Sequence, residues 1–281
     1  MRGESNLNRD ISPAVPGPLE SERVFVSTTA LRKIPAVAAA FWVMKICATT
    51  LGETAGDLFS MTLGIGYATA SMILIGFFLV TVVLQLASKR YHPTLFWAVI
   101  LTTSTAGTTM SDYMDRTLDL GYAAGGAILI TILVGILAAW SATEKSLSVD
   151  RVASRRGEIF YWSAILFSNT LGTALGDFLA DDSGLGFRGG ALLIGALLGV
   201  VLLATFFTRA SRVLLFWLAF VLTRPFGAEM GDVLTKPTDD GGLNLGTIGA
   251  SAVLATVLAI LVAREHWKAR RRATEMQGST G

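Results

Sequence analysis

From residue 34 to residue 264 the chain alternates long apolar runs with short polar breaks. Eight runs reach the ~17–25 residues with which a helix crosses a bilayer. They lie at roughly 34–57, 66–87, 94–112, 121–141, 159–178, 187–208, 213–232 and 245–264. A second pattern sits inside the odd-numbered runs. Each carries an aromatic pair, then nine residues, then a small residue, and a carboxylate five residues after that. Phe41-Trp42 leads to Gly52, Gly56 and Asp57, and Phe96-Trp97 to Gly107, Ser111 and Asp112. Tyr161-Trp162 leads to Gly172, Gly176 and Asp177, and Phe216-Trp217 to Gly227, Gly231 and Asp232. The even runs start after a glycine nine residues beyond the aspartate: Gly66, Gly121 and Gly186, with Gly246 the counterpart after a five-residue insertion.

These periods predict an all-α polytopic membrane protein of eight transmembrane helices in four two-helix repeats. An even number of spans per repeat makes the four copies parallel rather than inverted. The aromatic pairs start at 41, 96, 161 and 216, so the steps are 55, 65 and 55, and repeats one and two map onto three and four at a constant offset of 120. This gives two pseudo-symmetric halves, 34–143 and 159–266, joined by a polar cytoplasmic linker at 144–158. Residues 1–33, with Pro13, Pro16 and Pro18, are expected to form a disordered cytoplasmic tail, and 267–281 a basic cytoplasmic tail.

Composition adds exclusions. The 281 residues are 52% hydrophobic and 16% charged, with a mean hydropathy of +0.56, outside the range of soluble domains. The single cysteine, Cys47, excludes an intrachain disulfide. His92 and His266 lie at run ends, which leaves no His/Cys zinc or haem site. No nucleophile–histidine arrangement stands in the runs, so an intramembrane enzyme is the weakest class, and no cofactor is expected. The placement of basic residues carries more information than the net charge of +2. One set of loops and flanks holds Arg32, Lys33, Lys89, Arg90, Lys145, Arg151, Arg155, Arg156, Arg209, Arg212 and the Arg-rich stretch 264–272. The opposite loops hold Arg116, Arg188 and Lys236 among Asp115, Asp119, Asp181, Asp182, Asp239 and Asp240. The positive-inside rule then puts both termini in the cytoplasm. Stretch 264–272 reads as an inner-leaflet anchor, and nothing points to nucleic acid.

The pairs Gly52/Gly56, Gly107/Ser111, Gly172/Gly176 and Gly227/Gly231 are small-xxx-small steps, which let helices approach closely in lipid. Trp42, Trp97, Trp162 and Trp217 precede the aspartates by roughly 22 Å of helix, fitting either an interfacial belt or packing. Asp57, Asp112, Asp177 and Asp232 fall roughly 27–32 Å along their spans, at the outer edge of the hydrocarbon. They are read either as helix-ending caps or as a four-fold ring of carboxylates that attracts cations at an outer mouth. Glu53 and Glu229 lie one turn inside Asp57 and Asp232 and are expected to share a proton with them. Lys45 and Arg224 are expected as internal counter-ions, with span seven kinked at Arg224-Pro225. Hydroxyls before each glycine, such as Thr49, Thr103 and Thr170, would complete an oxygen-rich site suited to a hard cation such as Mg²⁺, Mn²⁺ or Ca²⁺.

Four in-frame copies over roughly 35–269, each with Trp42, Trp97, Trp162 or Trp217 in register, resemble a bacterial membrane-protein family defined by tandem copies of a repeat of unknown function (domain of unknown function 347), with two transmembrane spans and a characteristic tryptophan per copy. The resemblance implies a multi-pass protein of the bacterial inner membrane and assigns no activity. Ser111 departs from it at the second small position. The residues themselves favour a secondary transporter of a cation, such as a proton-coupled divalent metal, partnered by the lipid bilayer. The alternative is a scaffold or accessory subunit in which the acids only cap and pair. Oligomeric state is not specified.

Overall fold

In the computed structural model of the protein the described residues are 39–88, 91–145, 147 and 154–278, excepting the side chains of 269 and 272–278. The expected tail at 1–33, and residues 146 and 148–153 of the linker at 144–158, lie outside them. Among the described residues the chain is all α: α1 (Ala39–Asp57), α2 (Tyr67–Ala87), α3 (Pro93–Asp112), α4 (Gly121–Glu144), α5 (Arg155–Asp177), α6 (Gly186–Phe207), α7 (Arg212–Thr235) and α8 (Gly246–Gly278). α8 is 33 residues long and carries helix through most of the expected basic tail.

The odd helices form a closed ring: α1 packs on α3, α3 on α5, α5 on α7 and α7 back on α1. The even helices sit outside it, each chiefly against the odd helix of the next repeat: α2 on α3, α4 on α5, α6 on α7 and α8 on α1. The ring is continuous between the two sequence halves, because α3 meets α5 as α1 meets α3. Among the described residues five helices, α2, α4, α6, α7 and α8, are long and apolar enough to cross a membrane. α1, α3 and α5 are more polar because their neighbours cover them. The outer helices expose apolar side chains such as Leu192, Phe206 and Phe207, suited to acyl chains rather than water.

Two features built from the repeat frame close the ring. The first is a glycine cog. A Cβ at Gly52 would meet Ser104 of α3, at Gly107 Asn169 of α5, at Gly172 Arg224 of α7 and at Gly227 Thr49 of α1. The partner always stands three residues before the glycine of the next repeat, so one contact recurs four times around the ring. The second is an aromatic collar. Trp97 packs on Phe41 at 5.7 Å between ring centroids, Trp162 on Phe96 at 5.6 Å and Trp42 on Phe216 at 5.8 Å. At the remaining interface Trp140 of α4 wedges between Tyr161 and Trp217, at 6.3 and 5.8 Å. Each such pair adds about 0.5–1.5 kcal/mol beyond its buried area. The repeat tryptophans are therefore packing elements of the ring.

The helix-to-helix turns are also four-fold. Three pass through a π-helical turn, Leu58–Thr62, Tyr113–Thr117 and Phe178–Asp182. All four end on two left-handed residues spaced by one: Gly64 and Gly66, Asp119 and Gly121, Gly184 and Gly186, Asn244 and Gly246. Glycine, Asp and Asn are the residues that tolerate this conformation. At Arg224-Pro225, where a kink is expected, the chain stays helical: α7 runs from Arg212 to Thr235 with Pro225 inside. Close packing of the Pro225 turn on Gly172 and Gly176 of α5 holds it helical, at the cost of one missing backbone donor.

Candidate functional site

Equivalent frame positions on the four inner helices stack as layers, each about one helical turn (~5.4 Å) apart. Beyond the collar comes Lys45 with Ile100, Ile165 and Phe220, all fully buried. The Lys45 ammonium crosses to α5 and donates to Asn169 Oδ1 at 3.4 Å, and it lies 4.3 Å from the Phe220 ring centroid. Asn169 Nδ2 in turn donates to Thr103 Oγ1 at 3.1 Å. Lys45 is thus held by an amide and a π face rather than by a carboxylate.

The next two layers act together. One contains Thr49, Ser104, Asn169 and Arg224; the other contains Glu53, Thr108, Thr173 and Ala228. Arg224 is fully buried and extends into the layer where its own helix offers only Ala228. Its Nη2 donates to Glu53 Oε2 at 2.8 Å, to Thr173 Oγ1 at 2.7 Å and to Thr108 Oγ1. The Thr108 hydroxyl is also 3.2 Å from Glu53 Oε2 and from the Gly52 carbonyl oxygen. Four helices are tied by one guanidinium nitrogen. Its Nε and Nη1 are buried without a hydrogen-bond partner.

One turn further lie Asp57, Asp112, Asp177 and Asp232. Asp57 is within electrostatic range of Asp112 and Asp232, and Asp177 is within range of the same two. Glu53 acts on all four. Asp112 and Asp177 are buried, while Asp57 and Asp232 are half-buried. Asp177 Oδ2 has no hydrogen-bond partner. Four residues beyond the aspartates comes a rim of Met61, Arg116, Asp181 and Lys236. Arg116 pairs with Asp112 at 3.2 Å and reaches Asp181 at 3.9 Å; Lys236 pairs with Asp232 at 3.6 Å. The Asp232 carboxylate raises the proton affinity of Lys236, so this rim cation stays charged. Tyr122 OH donates to Asp181 Oδ2 at 2.9 Å.

Glu229 stands apart. It follows Ala228 by one residue, about 100° around the helix, and so points outward at Gly190 of α6. It remains in electrostatic range of Asp232, but both its oxygens are buried without a hydrogen-bond partner. Gly190 leaves the room for that carboxylate, as Gly125 of α4 does for Asp115. Among the described residues no three carboxylate, imidazole or thiolate groups are placed to hold a metal ion together.

A family model described as Repeat of Unknown Function (DUF347) matches four times, over residues 40–91, 95–146, 160–211 and 215–271. The chain belongs to this family. No curated protein and no solved structure matches it. Each DUF347 unit comprises an inner helix, a turn and an outer helix, and the outer helix leaves its own unit to cover the inner helix of the next. The unit therefore completes its packing only within a ring of four. In the second and fourth DUF347 units the rim position four residues after the aspartate carries a legible i,i+4 signal: Arg116 and Lys236 stand one turn from Asp112 and Asp232. Trp140 had no such signal, because it lies on an outer helix and outside the repeated frame.

Proposed function

We propose that the chain is a multi-pass protein of the bacterial inner membrane, with eight spans and both termini cytoplasmic, and that it is a secondary transporter of a small cation. The observation that carries this reading is the aspartate layer. Four independent repeats keep a carboxylate at one depth of one ring, within each other's fields, where a wholly structural acid would be costly. Such a ring concentrates cations at the end of a polar axis, and carboxylates this close exchange a proton for an ion. Asp57 and Asp177 have no basic partner at the rim position of their own repeats, Met61 and Asp181. They are the residues through which coupling is assigned.

The test is flux in proteoliposomes carrying an internal pH dye, with Na⁺, K⁺, Mg²⁺, Mn²⁺ and Ca²⁺ offered in turn. At least one ion is expected to drive proton movement, and Asp57→Asn and Asp177→Asn are expected to abolish it. Wild-type flux in both variants, or no movement with any ion, removes the reading. A scaffold role is the second reading. It is favoured by the axis being crossed by Arg224 and by the pairing of Asp112 and Asp232 with Arg116 and Lys236.

A further inference from the structure

We propose that Glu53, Thr108 and Thr173 form a monovalent-cation site, and that Arg224 fills it in this conformation as a tethered substitute ion. Three oxygens on three different helices converge on a single atom. Glu53 Oε2 comes from α1, Thr108 Oγ1 from α3 and Thr173 Oγ1 from α5, and all three take their bond from Arg224 Nη2. A site shaped for a guanidinium uses its planar fork, with two or more nitrogens engaged side by side. Here Nε and Nη1 are buried without partners, and one nitrogen occupies the focus as a compact ion would.

The charge of the ligand set selects the ion. One carboxylate and two neutral hydroxyls compensate a single positive charge, and hard oxygen donors suit an alkali cation or ammonium. The Gly52 carbonyl oxygen, 3.2 Å from Thr108 Oγ1, stands beside the set as a further donor. On the collar side the fully buried Lys45 side chain, lying against the Phe220 ring, closes the axis. Access is therefore from the aspartate layer. An arriving ion takes Glu53 only as Arg224 withdraws, and the Arg224 stem is pressed against Gly172, so withdrawal requires α5 and α7 to move past each other. The inference rests on the cation-handling reading for its role, but its test uses binding rather than flux.

The experiment measures the melting temperature of the purified full chain in micelles against NaCl, KCl and LiCl, with choline chloride holding ionic strength. In Arg224→Gln the vacated oxygens are expected to bind an alkali ion, raising Tm saturably by on the order of 5 °C. The wild type, already filled, is expected to show no saturable rise, and Glu53→Gln/Arg224→Gln to lose it. An Arg224→Gln protein that responds to pH but not to alkali ions overturns the assignment, as does a double variant that keeps the response. Should Arg224→Gln not fold, Arg224→Lys decides. Its ammonium has three donors for the three oxygens, so a Tm close to wild type and indifference to alkali ions are expected, and an unfolded Arg224→Lys overturns the proposal. A saturable rise in Arg224→Gln combined with unchanged flux in Asp177→Asn would remove the transport reading and leave this site standing.

Discussion

Replacing Gly52 by alanine tests the ring at its tightest recurring contact. A Cβ there would stand 2.5 Å from Ser104 Cβ and 3.0 Å from the Ser104 carbonyl carbon. Carbon atoms in contact prefer about 3.5–4.0 Å, so α1 and α3 would have to separate by roughly 1 Å. One of the two obstacles is backbone and cannot rotate away. Overpacking of this kind costs about 1–3 kcal/mol, against which alanine recovers about 1 kcal/mol of helix propensity. The expected net loss is up to about 2 kcal/mol. Gly135 of α4 has nothing within 4 Å of a built Cβ, so Gly135→Ala should be neutral or stabilise by up to ~1 kcal/mol. Both variants can be followed by tryptophan fluorescence during denaturation in mixed micelles. Ser104→Gly removes the nearer obstacle, and the double-mutant cycle should return a coupling of about 1 kcal/mol or more. Equal stability of Gly52→Ala and Gly135→Ala, or zero coupling with Ser104, would refute the cog.

Glu53→Gln leaves Arg224 buried beside a neutral amide and should cost about 3–5 kcal/mol, whereas Glu53→Met/Arg224→Met should be less destabilised than either single change; chemical denaturation compares them. Trp140→Ala should lose about 3–5 kcal/mol, because this nearly fully buried ring is the wedge between Tyr161 and Trp217, and a thermal melt reads it. Gly186→Ala, at φ +63°, should cost about 1–2 kcal/mol, while Asn244→Gly at the equivalent of Gly184 should be neutral or better; parallel melts distinguish them.

The helices were legible because lipid imposes their length and glycine marks their ends. The run expected at 66–87 is helix from Tyr67 to Ala87, and that expected at 121–141 is helix from Gly121 to Glu144. The partners of the outer helices were not legible. A hairpin of two apolar runs suggests that α1 lies on α2, yet α2 covers α3. The contact is decided by residues such as Ala70, Gly125, Gly190 and Ala250, all buried on the outer helices at matching positions, and a small residue in an apolar run does not announce which neighbour it faces. The polar axis was half legible. The frame placed Thr108 and Thr173 in register with Glu53, but the choice of Glu53 over Glu229 as the partner of Arg224 depends on the ring. Ala228 faces the axis, so Glu229, the next residue, cannot.

The aspartate layer is identical in all four repeats, while the layers beneath it hold one lysine, one arginine and one glutamate, each once. A four-fold ring can present four equal acids to an approaching ion, but it can hold only one side chain across its axis at each level. Single-copy charges there break the symmetry because sterics leave no alternative. Along the axis the buried Arg224 faces Glu53, and Glu53 in turn lies within electrostatic range of the aspartate layer next to it. The acids and the arginine therefore form one electrostatic unit; under the transport reading, an ion attracted by the aspartates would meet Arg224 as its barrier. Transport and scaffold readings differ in one movement: whether Arg224 leaves Glu53. Thr108→Val with Thr173→Val removes two of the three acceptors while sparing the ion pair, so it loosens Arg224 without removing its charge. If the movement occurs, hydrogen exchange at α5 and α7 should quicken selectively in this variant. A uniform increase over all four inner helices would mean that the arginine is a fixed tie of the bundle and no gate.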